Sequence, residues 1–514
     1  MPRFVHHLDR LIDVALLAVL IFTPLAFGSV EPWAQAIGQG MIWALFAGWC
    51  VKAAWTPQMP AGRKRYWTGL EGPILLFTLV LVLQLVPLPP KLVQLVSPNS
   101  AKIFEQSLPG YSQPGTTGFS DLPNWLQSDP DAMAGDVEVL PPDAARLEGA
   151  IDAAAFDVTY DKWRPLSITP GKTKRALAIF LAHAALFWVA FHQIDRKRGA
   201  TRFAYVLTAL VGLLAGIGIL QSLTADGKLY WWRGGGPHQS FGPFVNANNF
   251  AGWMEMALPL AAGVTWALLS RSRRRAGGVS AVALLFGFAT ILGLAAFVLS
   301  MSRGGFLSLL GALLIATLVY AVTRRLSGRA LAIGLVPILL AIGLASWIDL
   351  SGLTERYSTL TDVQEERSFT TRVDFSKRAL TMATDFPLLG SGFGSFREAH
   401  YLYSPGTSNQ ELARAHNDYA QLAAECGFLG LAAMLWAGWL ILRRGVIASL
   451  LRRRSAALFV VRGAAIGVTA LMLHSFVDFN LQIYSNSLLF VFLAALLMRD
   501  RVDELVAADR EGGR

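Results

Sequence analysis

Residues 271–305 read RSRRRAGGVSAVALLFGFATILGLAAFVLSMSRGG, and this stretch decides what kind of chain this is. Four arginines, Arg271, Arg273, Arg274 and Arg275, stand before an apolar run over residues 279–300, and Ser302-Arg303-Gly304-Gly305 stands after it. A helix of about 20 apolar residues crosses the hydrocarbon core of a bilayer. A run of that length, heavily basic at one end and closed by a short turn at the other, reads as a membrane span with its arginine cluster on the cytoplasmic side.

Worked outward in both directions, the same reading gives spans near 11–28, 36–54, 70–88, 174–194, 203–222, 248–270, 279–300, 305–323, 330–348, 427–442, 457–477 and 483–498. The expected fold is therefore an all-α polytopic membrane protein of about twelve transmembrane helices. Composition agrees. Of the 514 residues 54% are hydrophobic and 16% charged, whereas a soluble chain carries roughly a quarter charged residues. The mean hydropathy is +0.44. The N-terminus carries Arg3 and Arg10 ahead of an apolar stretch without a small-residue cleavage site, which reads as a retained first helix.

Lysines and arginines set the orientation. One set of short loops holds twenty, among them Lys52, Arg63, Arg196, Arg198, Arg324 and Arg452, while the opposite short segments hold three: Lys228, Arg233 and Arg303. Cytoplasmic loops carry the excess, so both termini of a multi-pass membrane protein are expected in the cytoplasm. The net charge of +10 lies in these scattered clusters rather than on one basic face, so membrane lipids and no nucleic acid are expected as partners. Cys50 and Cys426 fall in or beside different apolar runs, and no disulfide framework is expected.

The expected organisation is transmembrane helices 1–3 over residues 1–88, a long irregular periplasmic loop over 89–173, helices 4–9 over 174–348, a second periplasmic segment over 349–426, helices 10–12 over 427–500 and a cytoplasmic tail over 501–514. The first long segment is rich in proline and acid, as in Asp129-Pro130-Asp131 and Pro141-Pro142-Asp143, and reads as irregular. The second alternates helix-like stretches, Arg372 to Asp385 and Ala415 to Cys426, with glycine-rich turns. No internal repeat is found, whereas a transporter often shows one.

Three outer-face elements carry candidate chemistry. Arg303 opposes the positive-inside bias and its planar fork suits a phosphate; an arginine that snorkels to the interface would look the same from this turn alone. Arg372, in Ser368-Phe369-Thr370-Thr371-Arg372-Val373-Asp374, precedes a helical pattern and is either solvated or a second anion contact. His416, in Ala415-His416-Asn417-Asp418-Tyr419, opens a helix and suits a general base, while His416 and Asn417 equally suit capping. Arg233 and His238, in Arg233-Gly234-Gly235-Gly236-Pro237-His238, are candidate contacts to saccharide or phosphate in a glycine-rich loop. His474 and Asp478 lie one helical turn apart, can pair with each other, and read as structural.

Arg372, Pro387-Leu388-Leu389-Gly390-Ser391-Gly392-Phe393-Gly394, His416-Asn417-Asp418-Tyr419 and Glu425-Cys426-Gly427 together resemble the signature of the O-antigen ligase and O-antigen polymerase superfamily. The resemblance extends to Ser302-Arg303-Gly304, to Gly242-Pro243-Phe244-Val245-Asn246-Ala247-Asn248-Asn249-Phe250-Ala251 and to His474-Ser475-Phe476-Val477-Asp478-Phe479-Asn480-Leu481, over roughly residues 170–500. It implies a C-type glycosyltransferase-like helical fold and a metal-independent, inverting transfer without a cofactor. The implied partners are an undecaprenyl diphosphate-linked glycan donor and a glycolipid or saccharide acceptor. The segment 349–426 becomes the catalytic loop: Arg303 and Arg372 engage the diphosphate, His416 is the base, and Asn417 and Asp418 orient the histidine or the acceptor. Relatives often carry a histidine where Asn249 stands and a proline near Tyr484, departures that bear on subfamily.

A ligase-like activity is the expected function. Polymerisation of O-antigen or exopolysaccharide repeat units, and protein O-oligosaccharide transfer, share the same scaffold. A glycolipid flippase or other transporter is the alternative of a different class and predicts charges deep within the spans.

Overall fold

In this computed structural model, the structure describes residues 3–55, 67–108, 111, 163–194, 199–234, 240–272, 278–324, 362–403, 414–450 and 456–499. In chain order their helices are α1 (Arg3–Leu25), α2 (Pro32–Trp55), α3 (Glu71–Leu85), α4 (Pro90–Val96), α5 (Pro98–Ser107), α6 (Pro170–Ile194), α7 (Gly199–Thr224), α8 (Ala247–Ser272), α9 (Ala281–Leu299), α10 (Arg303–Arg324), α11 (Asp362–Asp385), α12 (Phe396–Ala399), α13 (Asp418–Leu450), α14 (Ala456–His474) and α15 (Tyr484–Leu497). Among the described residues the fold is all-α apart from a two-residue pairing of β1 (Pro87–Leu88) with β2 (Arg164–Pro165). Every expected span except the ninth coincides with a helix; 330–348 lies outside the described residues. Six of the helices, α6 to α10 and α13, are long and apolar enough to cross a membrane, and α3, α14 and α15 are shorter apolar helices.

The described ends of the helices separate into two groups. At one end the start of α1 meets the ends of α2 and α6: Lys52 Nζ sits 2.6 Å from buried Asp9 Oδ1 and donates to Gln193 Oε1 at 3.0 Å, while Gln193 Nε2 donates to Asp13 Oδ1 at 2.8 Å. At the other end Tyr230 Oη donates to Leu25 O and Arg233 pairs with Glu31. The Lys52 end is the one that sequence reading makes cytoplasmic.

The main core is an apolar cluster drawn from α1, α2, α6 to α10 and α13 to α15, and it includes Trp253, Phe250 and Met254 of α8. Helices in a bilayer gain no hydrophobic drive from one another, so close packing through small residues does the joining. Here α14 presents Gly463 and Gly467, four residues apart on one face. An ideal Cβ on Gly463 would lie 2.3 Å from Pro259 O, and one on Gly467 would lie 2.3 Å from Met256 O. The two backbones therefore touch, and the approach brings Glu255 of α8 beside His474 at the end of α14.

Three expectations about element boundaries are corrected. The 89–173 segment is not irregular at its start: α4 and α5 each begin on a proline at the first helical position, where the missing N–H and preset φ cost nothing. Val93, Ala101, Phe104 and Leu166 make a small core there; residues 112–162 lie outside the described residues. Arg372 does not precede its helix but sits inside α11, which begins at Asp362. The helix expected from 427 starts at Asp418 and is broken at Gly427, with φ 65° and ψ −176°.

That break locks the glycine-rich turn to the bundle. Phe428 N donates to Pro387 O at 2.7 Å, Ser391 N to Ala424 O at 3.1 Å and Gly392 N to Glu425 O at 3.0 Å. Buried Glu425 accepts from Gly394 N at 2.9 Å and Phe396 N at 3.0 Å, and Gln84 of α3 donates to Glu425 O at 2.7 Å. The Pro387–Gly394 and Glu425–Gly427 parts of the signature are thus one structural knot that fixes where α13 begins.

Gly467→Ala should lower stability by about 1–3 kcal/mol, the usual range for overpacking a well-filled contact. Gly40→Ala, in a helix whose Gly40 has nothing within 4 Å, should cost nothing. Thermal unfolding of the two variants in detergent checks the difference.

Candidate active site

The site collects at the end of the bundle opposite Lys52, from the start of α10, α11, the start of α13, the end of α14 and the loop 475–483. The start of α13 is tied down first. Asn417 Oδ1 accepts from Tyr419 N at 3.1 Å and Ala420 N at 3.0 Å, so Asn417 is the cap of this helix. Asp418 N donates to Ser475 O at 2.9 Å, and its carboxylate accepts from Leu481 N at 3.0 Å and Gln482 Nε2 at 2.9 Å. Arg414 donates to Gln482 Oε1 and lies over the Phe479 ring at 6.0 Å. Ala415 N donates to Gln421 Oε1 at 3.0 Å.

His416 is left between these anchors in the left-handed region, φ 51°. That backbone is costly for a residue with a Cβ and persists only where the surroundings impose it. Its ring is stacked on Phe375, centroids 6.3 Å apart, and meets the edge of Phe479 at 4.9 Å. Its Nδ1 stands 3.4 Å from Asp478 Oδ1; the histidine is 25% exposed and the aspartate 1%. With a carboxylate facing Nδ1, the proton belongs on that nitrogen and Nε2 carries the lone pair, the arrangement a general base needs.

Asp478 accepts from Phe479 N at 2.9 Å through the same Oδ1. Burial pushes its carboxyl up, but the contact with His416 and the charges of His474 and Arg372 outweigh burial and hold it below the usual carboxylate range. It is therefore ionised throughout the neutral range. Phe375, the ring stacked on His416, lies three residues on from Arg372 and on the same face of α11, so Arg372 belongs to this region.

Arg303 is the first residue of α10 and is exposed. Ser302 caps the helix, its Oγ accepting from Gly305 N at 3.3 Å. The next residue, Gly304, packs on His474: an ideal Cβ there would lie 2.8 Å from His474 Nε2. His474 thus links Arg303 on one side to the Asp478 loop on the other. Its Nδ1 lies 3.1 Å from Glu255 Oε1, with both side chains buried to 1% exposure or less, and 3.1 Å from Asn480 Nδ2.

Of the residues expected at the site, Arg303, Arg372 and His416 come to one region, and Asn417 and Asp418 hold its floor through a cap and a loop tie. Arg233 is engaged elsewhere: it pairs with Glu31 and lies 4.6 Å over the Phe27 ring. His238 falls outside the described residues. His474 and Asp478 do not pair side chain to side chain as expected; one turns to Glu255 and the other to His416. Asp478 N donates to His474 O at 3.0 Å, closing one last turn beyond the end of α14, yet the two side chains take different partners. Asn249, where relatives often have histidine, is buried and its carbonyl accepts from Asn486 Nδ2 at 2.9 Å. Among the described residues, no group of three or more His, Cys, Asp or Glu side chains is placed to hold a metal ion.

Residues 288–435 match the family described as O-antigen ligase. This independent match supports the resemblance to the O-antigen ligase and polymerase superfamily. The matched stretch contains Arg303, Arg372 and His416 and stops short of His474 and Asp478. No curated protein matches the chain.

Asp478→Asn keeps the side-chain volume but offers no carboxylate to Nδ1, so the ring loses its fixed tautomer. Transfer should fall on the order of 10²–10⁴-fold, with thermal stability within about 1 kcal/mol of wild type, measured on purified protein in nanodiscs.

Proposed function

We propose that this chain is a bacterial inner-membrane glycosyltransferase that moves a glycan from undecaprenyl diphosphate to an acceptor hydroxyl at the periplasmic face, in the manner of an O-antigen ligase. The observation that carries the reading is the His416–Asp478 pair, oriented by two aromatic rings, in the same region as Arg303 and Arg372. The family match over residues 288–435 supports the ligase class.

The chemistry follows from the leaving group. As the anomeric bond to the diphosphate oxygen breaks, its electron pair passes to the diphosphate, and fixed guanidinium groups at the rim of the membrane stabilise that charge. Arg303 and Arg372 supply two. The acceptor hydroxyl attacks from the opposite face, its oxygen bonding to the anomeric carbon while its proton passes to His416 Nε2. Asp478 then neutralises the imidazolium. One displacement of this kind inverts the anomeric centre. The prenyl chain lies along the lipid-facing flank, where Leu307 and Val298 are exposed apolar residues beside the Arg303 turn.

The topology that goes with this reading puts both termini in the cytoplasm and the Arg303, Arg372 and His416 end in the periplasm. In a Cys50→Ser background, Tyr401→Cys, at a position 54% exposed, should react with a membrane-impermeant thiol reagent in cells whose outer membrane alone is permeabilised. Reaction only after inner-membrane lysis reverses the orientation.

His416→Asn separates catalysis from fold. Asparagine tolerates the left-handed backbone better than most residues, and Asn417 already caps the helix, so this variant should fold and insert as wild type. Its transfer rate should fall on the order of 10²–10⁴-fold in a reconstituted assay with purified donor and acceptor; near-normal transfer removes His416 as the base. Arg303→Lys and Arg372→Lys keep the charge but lose the planar fork, so each should weaken donor use about tenfold or more, read as donor KM.

A further inference from the structure

Glu255 and His474 are the most deeply buried ionisable pair near the site, and the mechanism above gives them nothing to do. Ionisable side chains inside a membrane bundle are costly, and their presence calls for a role. The pair is built in rather than incidental. Glu255 is 0% and His474 1% exposed, Asn480 lies on the same imidazole nitrogen, and Asn486 donates to Asn480 Oδ1 at 3.2 Å. Glu255 Oε2 has no hydrogen-bond partner among the described residues.

Proton placement decides what the pair presents. If Glu255 is ionised, a buried negative charge demands a cation, and His474 answers as an imidazolium with hydrogen on both nitrogens. If Glu255 is protonated, its O–H donates to Nδ1, and the neutral ring carries its hydrogen on Nε2. Asn480 Nδ2 can only donate and lies 3.1 Å from Nδ1, so Nδ1 is the accepting nitrogen of a neutral ring, and both of these net-neutral states carry an N–H at Nε2. The remaining state, a carboxylate beside a neutral ring, leaves an uncompensated charge in the bundle and is the expensive one.

That nitrogen faces the start of α10. Gly304 lets the ring approach until an ideal Cβ would be 2.8 Å from Nε2, and a Cβ on Gly305 would be 3.4 Å from Cε1. Arg303 is the residue immediately before. Both glycines keep this turn free of side chains between the ring and the helix start.

We propose that His474, set by Glu255, is a third donor of the diphosphate site, presenting Nε2–H to a phosphate oxygen at the start of α10 beside Arg303. This rests on the reading of Arg303 and Arg372 as diphosphate ligands. It assigns the phosphate-bearing part of the donor a floor inside the bundle, beneath the two arginines at its rim.

The test replaces the pair by apolar residues, because a buried ion pair exchanged for well-packed hydrophobes often folds as well as the original. Full-length wild type, Glu255→Leu/His474→Leu and Gly304→Ala are placed in nanodiscs and titrated with farnesyl diphosphate, farnesyl monophosphate and farnesol. The double variant should keep its melting temperature and bind farnesyl diphosphate about tenfold more weakly or worse, with farnesol binding unchanged. In transfer assays its donor KM should rise while its acceptor KM stays put. Gly304→Ala, which displaces the ring without touching the pair, should weaken diphosphate binding in the same direction and serves if the double variant does not fold. A folded double variant, or Gly304→Ala, with wild-type diphosphate affinity overturns the proposal. Wild type that prefers farnesyl diphosphate no more than farnesol instead overturns the diphosphate site itself.

Discussion

The backbone-to-backbone crossing of α8 and α14 is the constraint on which the site depends. With carbonyls of Met256 and Pro259 where side chains would sit on Gly467 and Gly463, the two helices cannot slide or rotate without clash. Glu255 is one residue from Met256, and His474 two turns beyond Gly467, so the crossing fixes their meeting. The chain leaving His474 must then turn at once, and the turn delivers Asp478 toward α13 and Asn480 back toward α8. A packing rule of membrane helices, small residues at close crossings, thus sets the position of the carboxylate that orients the base.

The second constraint comes from outside the spans. The turn Pro387–Gly394 is fastened to residues 424–428 by backbone hydrogen bonds, and Glu425 and Gln84 fill the remaining donors and acceptors. Buried polar groups with every partner in place rigidify what they join. Here they join α3, the turn and α13, so the start of α13 is held relative to both α11 and the bundle. His416 sits one residue before its cap, and its left-handed backbone follows from anchors on both sides: Ala415 bound to Gln421 and Asn417 bound to the helix start. The strained residue is the one whose ring must stand free of the helix to face Asp478.

Sequence reading recovered the helices because apolar length is a one-dimensional property that burial in lipid requires directly. It singled out Arg303 because charge on the sparsely basic side stands out against the orientation rule, and Arg372 and His416 through their local motifs. It missed the roles of Asp478 and His474 for a physical reason. Their separation of one helical turn suggests mutual pairing only if the helix continues, and α14 ends at His474. Glu255 was invisible too: a single acid within an apolar run signals a partner without saying which, and the partner lies 219 residues away in sequence. Arg233 shows the opposite error, since a basic residue in a glycine-rich outer loop looks available until Glu31, far off in the chain, is seen to hold it. Asn417 and Asp418 were legible as part of a motif, but only the structure separates the cap and loop tie they form from the ring beside them.

A general base placed among cations faces a conflict, because guanidinium groups that would hold a diphosphate also disfavour a second positive charge nearby. Asp478 resolves it by position. It lies beneath His416, 1% exposed and 3.4 Å from Nδ1, so an imidazolium that forms there meets a carboxylate at contact distance in a poorly hydrated setting where such attraction is strong. The same carboxylate is held below the usual carboxylate range by its contact with His416 and by the charges around it, that of Arg372 among them. On the proposed reading Arg372 would serve two ends through one buried acid, attracting the anion to be released and helping to keep charged the group that faces His416. If His416 is the base, removing Asp478 would leave cations facing it with nothing between them, so the aspartate would matter to transfer without ever touching a substrate.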